Sequence, residues 1–97
     1  MGKVKFIQAV LAKCESLRPG VIAYAYQNAN VGGTYSWMEI CVSDLDMYFN
    51  DARFRALRRA WVKVAEKQRF KLVFCCCSPK EKRLAELAQN GNLIMNI

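Results

Sequence analysis

The stretch Asp51–Cys77, DARFRALRRAWVKVAEKQRFKLVFCCC, reads as a basic amphipathic helix, Asp51–Gln68, feeding directly into an apolar strand, Phe70–Cys77. Within the helix, Phe54, Leu57, Trp61, Val64 and Ala65 recur every three or four residues and form the expected buried stripe. Arg55, Arg58, Arg59, Lys63 and Lys67 spread over the opposite half of the same helix. Segment 51–71 holds eight of the fifteen Lys and Arg residues against two acids, Asp51 and Glu66, and so carries +6 of the chain's +7. After Lys71 the strand is apolar at every position, as in a strand covered on both sides.

Upstream, Lys3–Leu17 is a second amphipathic helix, with Phe6, Ile7, Val10, Leu11, Cys14 and Leu17 on one stripe. Arg18-Pro19-Gly20 stops it, because proline cannot continue the hydrogen-bond ladder. Val21–Gln27 and Thr34–Val42 are β-branched and aromatic runs flanking Asn28–Gly33, the pattern of a β-hairpin. Pairing Gln27 with Thr34 sorts the two faces. Tyr24, Tyr26, Tyr35 and Trp37 fall on one, with Ile22 opposite Glu39, and Ala23, Ala25, Met38 and Ile40 fall on the other.

Ser43 is the expected cap of a helix start at Ser43–Asp46, where two carboxylates favour the positive end of the helix dipole. Asn50 or Asp51 then starts the main helix, with Phe49 and Phe54 spaced as a hydrophobic staple around an Asn50 cap. Downstream, Ser78-Pro79-Lys80-Glu81 is a capping box with proline at the first helical position. Asn90-Gly91 ends that helix and Asn92–Ile97 is a last strand.

The element order is therefore α-β-β-α-β-α-β in one domain, residues 1–97. The expected fold class is α/β, with α+β as the alternative. The sheet is four-stranded and mixed: an antiparallel hairpin, then two parallel strands added by helical crossovers. The first helix covers one face of the sheet and the later helices the other.

Composition narrows the function. Hydrophobic residues make up 54% and charged residues 24%, which are globular values. No apolar run approaches the roughly 18 residues of a membrane span, so no membrane partner is expected. The N-terminal lysines and apolar residues read as part of a mature helix, because polar residues interrupt them and no small-residue cleavage site follows. Five cysteines, three of them contiguous at 75–77, are not a disulfide framework and fit a cytoplasmic protein. There is no histidine, which removes the usual general base and most zinc sites, and no cofactor motif is present.

Three readings of function remain. Arg55, Arg58, Arg59, Lys63 and Lys67 suit the phosphates of DNA or RNA, with the aromatic hairpin face as a base-stacking platform. No helix-turn-helix, zinc-finger or aromatic RNA-binding-strand motif accompanies them. The second reading is an assembly module, such as a homodimer, that docks through the same aromatic face or through a sheet edge. The third is a small metal-dependent hydrolase with Glu39, Asp44 and Asp46 at strand ends, although acids at a helix start explain Asp44 and Asp46 without a metal. Cys77 and Arg83 resemble, in spacing alone, the Cys-x5-Arg loop of phosphotyrosine phosphatases. The loop lacks glycine and Pro79 removes an amide, so Cys75–Cys77 read as apolar fillers of a buried strand.

Overall fold

A computed structural model describes residues 2–21, 23–29, 36–76, 85 and 93–95. In chain order these form α1 (Lys3–Leu17), β1 (Ala23–Ala29), β2 (Ser36–Val42), α2 (Leu45–Asn50), α3 (Ala52–Lys67), β3 (Lys71–Cys76) and β4 (Leu93–Met95). The body of the sheet is three-stranded and mixed, in the order β3-β2-β1, and the three-residue β4 flanks β1. The Cα radius of gyration, 13.0 Å, is that of a compact chain of about 100 residues.

Several expectations need correction. The expected element order counted one helix between β2 and β3 where the structure has two, α2 and α3, although the helix start at Ser43–Asp46 and the fresh start at Asn50 or Asp51 were both expected. The break falls at Asp51, whose backbone is extended (φ −83°, ψ 111°) and whose side chain caps the next helix. β3 joins β2 in parallel, but β4 pairs antiparallel with β1, so only one parallel strand is added to the hairpin. The helix expected from Pro79 lies outside the described residues except for Ala85.

In the hairpin, Tyr26 faces Glu39 and Tyr24 faces Cys41, rather than Tyr35 and Trp37. The pairing thus slides by four residues. Because the slide is even, the described side chains keep their predicted faces, and the alanines still share one side with Met38 and Ile40.

Ala23 and Ala25 leave room on that side for α1, which buries Phe6, Ile7, Val10, Leu11 and Cys14 against them. Phe54, Ala65 and Met47 enter the same core from α3 and α2. The described helices therefore share one face of the sheet, where the sequence reading divided them between two. The opposite face holds a smaller buried cluster of Tyr24, Tyr26 and Cys41, with Cys75 packed against it. There the Cys41 and Cys75 sulfurs meet at 2.6 Å across the boundary of β2 and β3.

Local chemistry explains the element ends. α1 stops in a tight turn in which the Val21 N–H donates to the Arg18 carbonyl at 3.0 Å. Pro19 takes the second position of that turn and Gly20 the third, at φ +87°, where a side chain would be strained. Asp44, not Ser43, caps α2 by accepting from the Met47 N–H at 2.8 Å.

α3 ends in a Schellman motif. The Phe70 N–H donates to the Ala65 carbonyl at 3.1 Å and the Arg69 N–H to the Glu66 carbonyl at 3.0 Å. That closure points the chain straight into β3.

Candidate nucleic-acid interface

α3 is positioned by its inward side. Phe54 and Ala65 are fully buried, and Trp61 stacks on Phe74 of β3 with ring centroids 6.0 Å apart. Phe54 meets Trp61 and Phe74 edge-on. Val64, expected on the buried stripe, is 38% exposed, because the contact with β3 is narrower than a full helical half. The outer side is left to solvent.

Arg55, Arg59, Lys63 and Lys67 are exposed there. Arg58 differs. It is half-buried, and its guanidinium lies over the Tyr48 ring at 4.4 Å and the Phe54 ring at 5.6 Å. A cation over an aromatic face is held by the ring's negative quadrupole. Arg58 therefore braces α2 against α3 as well as carrying charge.

The ion pairs among the described residues lie elsewhere: Arg18 with Asp44 at 3.2 Å and with Asp46 at 3.1 Å, and Arg53 with Asp51 at 3.0 Å. Arg55, Arg59, Lys63 and Lys67 take part in none of them. Glu66 is the one carboxylate of α3.

An open groove of about 490 Å³ runs along this side of the helix. Tyr48 of α2 and Phe74 of β3 supply its aromatic walls, and Arg58, Arg59, Val62, Lys63 and Glu66 line it from α3. At 100° per residue these five fall within about 140° of the helix surface. The Tyr48 hydroxyl donates to the Phe74 carbonyl at 3.1 Å, which ties α2 to β3 behind the groove.

No protein-family model, curated protein or solved structure matches the chain.

The other candidate residues are placed as follows. Tyr24 and Tyr26 are 3% and 8% exposed, so two of the four expected stacking or docking rings belong to the interior. The Tyr26 hydroxyl donates to Glu39 at 2.6 Å. Trp37 is half-buried, and Tyr35 lies outside the described residues.

The acids considered for a metal are not brought together. Glu39 is held by Tyr26, while Asp44 and Asp46 bond Arg18 at the start of α2. Among the described residues no three His, Cys, Asp or Glu side chains converge as a metal site. Hydrogen bonds from Asn50 and then from Arg18 hold the Asp46 carboxyl below its ordinary value.

The Cys14 and Cys76 thiols are poorly suited to nucleophilic work. Burial pushes Cys14 up to about 11. It also raises Cys76, to which Asp44 and Cys41 add. A raised thiol stays protonated at neutral pH, and the thiolate is the reactive form. Cys77 and Arg83 lie outside the described residues.

The sequence reading singled out the cations but missed Tyr48, Val62, Glu66 and Phe74. No local spacing joins residues from three elements, and Phe74 reads as strand interior. The one available signal was Glu66, a single acid in the middle of a basic face.

Proposed function

We propose that the protein is a binding module that takes nucleic acid on the outer side of α3. The observation that carries this reading is the set Arg55, Arg59, Lys63 and Lys67, exposed on one helix and engaged in no ion pair among the described residues. Such cations gain little by folding. Against a polyanion they displace condensed counterions, which is a favourable entropy term. The rival reading, assembly through the aromatic hairpin face or a sheet edge, has less support, since Tyr24 and Tyr26, two of the four rings of that face, are buried.

Four phosphate contacts would make the logarithm of affinity fall against the logarithm of salt concentration with a slope of about −3 to −4. The triple variant Arg55→Glu, Arg59→Glu, Lys63→Glu should lose binding and keep its thermal midpoint, because none of the three is buried. Arg58 is left in place for its contact with Tyr48. Fluorescence anisotropy against labelled DNA and RNA measures both effects. The proposal fails if neither single-stranded nor double-stranded forms bind at about 50 mM salt.

A further inference from the structure

We infer that the groove beside α3 receives an unpaired base, which makes the interface selective for single strands over duplex; this rests on the nucleic-acid reading above. Phosphate neutralisation alone asks only for a charged face. Here the charged face opens into a groove of about 490 Å³ with aromatic walls, inside the range of about 300–1,000 Å³ found for small-molecule pockets. A duplex keeps its bases stacked and offers this face only its backbone. A single strand can turn a base outward and stack it.

The lining supplies each part of that recognition. Arg58 presents a guanidinium already stacked on Tyr48 at 4.4 Å, and bases stack on arginine planes as they do on rings. Phe74 and Val62 form the apolar part of the lining. Arg59 and Lys63, exposed one turn apart at the rim, lie where the phosphates flanking an inserted base would run.

Glu66 lines the same groove and opposes phosphate, so a purely electrostatic face gives it no purpose. Its carboxylate accepts hydrogen bonds only, which suits the exocyclic amino group of a base such as cytosine.

The test compares labelled single-stranded and double-stranded DNA of about twelve nucleotides at matched salt, a length within the known range of single-strand sites. The expected result is about tenfold tighter binding of the single strand. Val62→Met extends a longer side chain into the groove and narrows it without changing charge. It should lower single-strand affinity by more than duplex affinity, with the thermal midpoint recorded to show that the variant is folded.

Equal affinity of the unmodified protein for both forms would overturn this inference and leave the proposed function standing. Binding to neither form would overturn both. A single-strand preference undiminished by Val62→Met in a folded protein would remove the groove as its origin.

Discussion

Arg69 occupies a position that glycine usually takes. It is the residue after the C-cap of α3, and its backbone is left-handed at φ +66°. A side chain in that conformation costs about 1–2 kcal/mol, and glycine avoids the cost. The two Schellman hydrogen bonds and the burial of Ala65 with Phe70 packed nearby hold the turn in spite of it. Arg69→Gly should therefore raise stability by roughly 1 kcal/mol in urea denaturation. An unchanged or lower midpoint would show that the strain is relieved some other way. Sequence reading could not see this stop signal, because it looks for glycine or asparagine and the chain offers Gln68-Arg69.

At the scale of the element, α3 depends on Asp51. The backbone N–H groups of Arg53 and Phe54 donate to its carboxylate at 2.9 and 3.3 Å, and Arg53 adds its guanidinium at 3.0 Å. The Arg53 side chain is the main reason the carboxyl is lowered to about 2 from the ordinary 3.8, with the two backbone donors adding to it. The folded value lies below the unfolded one, so the stabilisation is complete above pH about 4 and is lost as pH falls towards about 2. Asp51→Asn keeps a capping oxygen but cannot ionise. Its melting temperature by circular dichroism should sit a few degrees below that of the unmodified protein at neutral pH. The gap should close between pH about 4 and about 2, and a pH-independent gap would refute the assignment.

The same cap explains why the staple expected between Phe49 and Phe54 is absent as drawn. With the cap at Asp51 rather than Asn50, Phe49 falls outside the staple position and is 57% exposed, its ring set edge-on to Tyr48. A shift of one residue in the cap hands the staple positions to the next residues along, which lie about 100° away around the helix, and both Asn50 and Asp51 are capping residues by type.

At the scale of the molecule, Phe54 joins the core to the proposed interface. It is fully buried and meets Tyr48, Trp61 and Phe74, with the Arg58 guanidinium above its ring. Phe54→Ala should cost about 3–5 kcal/mol through lost burial and the cavity left behind, a large part of a net stability of roughly 5–15 kcal/mol. Val64→Ala, on a residue that is 38% exposed, should cost less than about 1 kcal/mol. Helical spacing alone puts both residues on one buried stripe. Equal losses in chemical denaturation would restore that reading.

What could be read from the chain alone were features carried by neighbours in sequence. The limits of α1 at Lys3 and Leu17, the stop at Pro19-Gly20 and the sorting of the hairpin into an alanine face and a tyrosine face all follow from local spacing and backbone sterics. The cationic side of α3 also follows from spacing, since charge shows in sequence without any packing.

Tertiary structure decided the rest. It set the hairpin pairing four residues away from the expected one, which alternation cannot distinguish because an even slide preserves both faces. It placed β4 against β1 and the described helices on a single side of the sheet, and it buried Tyr24 and Tyr26 on the other side. It also turned the basic stretch from Asp51 onward into the wall of a groove. The sequence determined that this helix would be charged along one side. Only the packing of α2 and β3 beside it determined that Tyr48 and Phe74 would stand next to those charges, because the three elements meet through contacts that no spacing along the chain encodes.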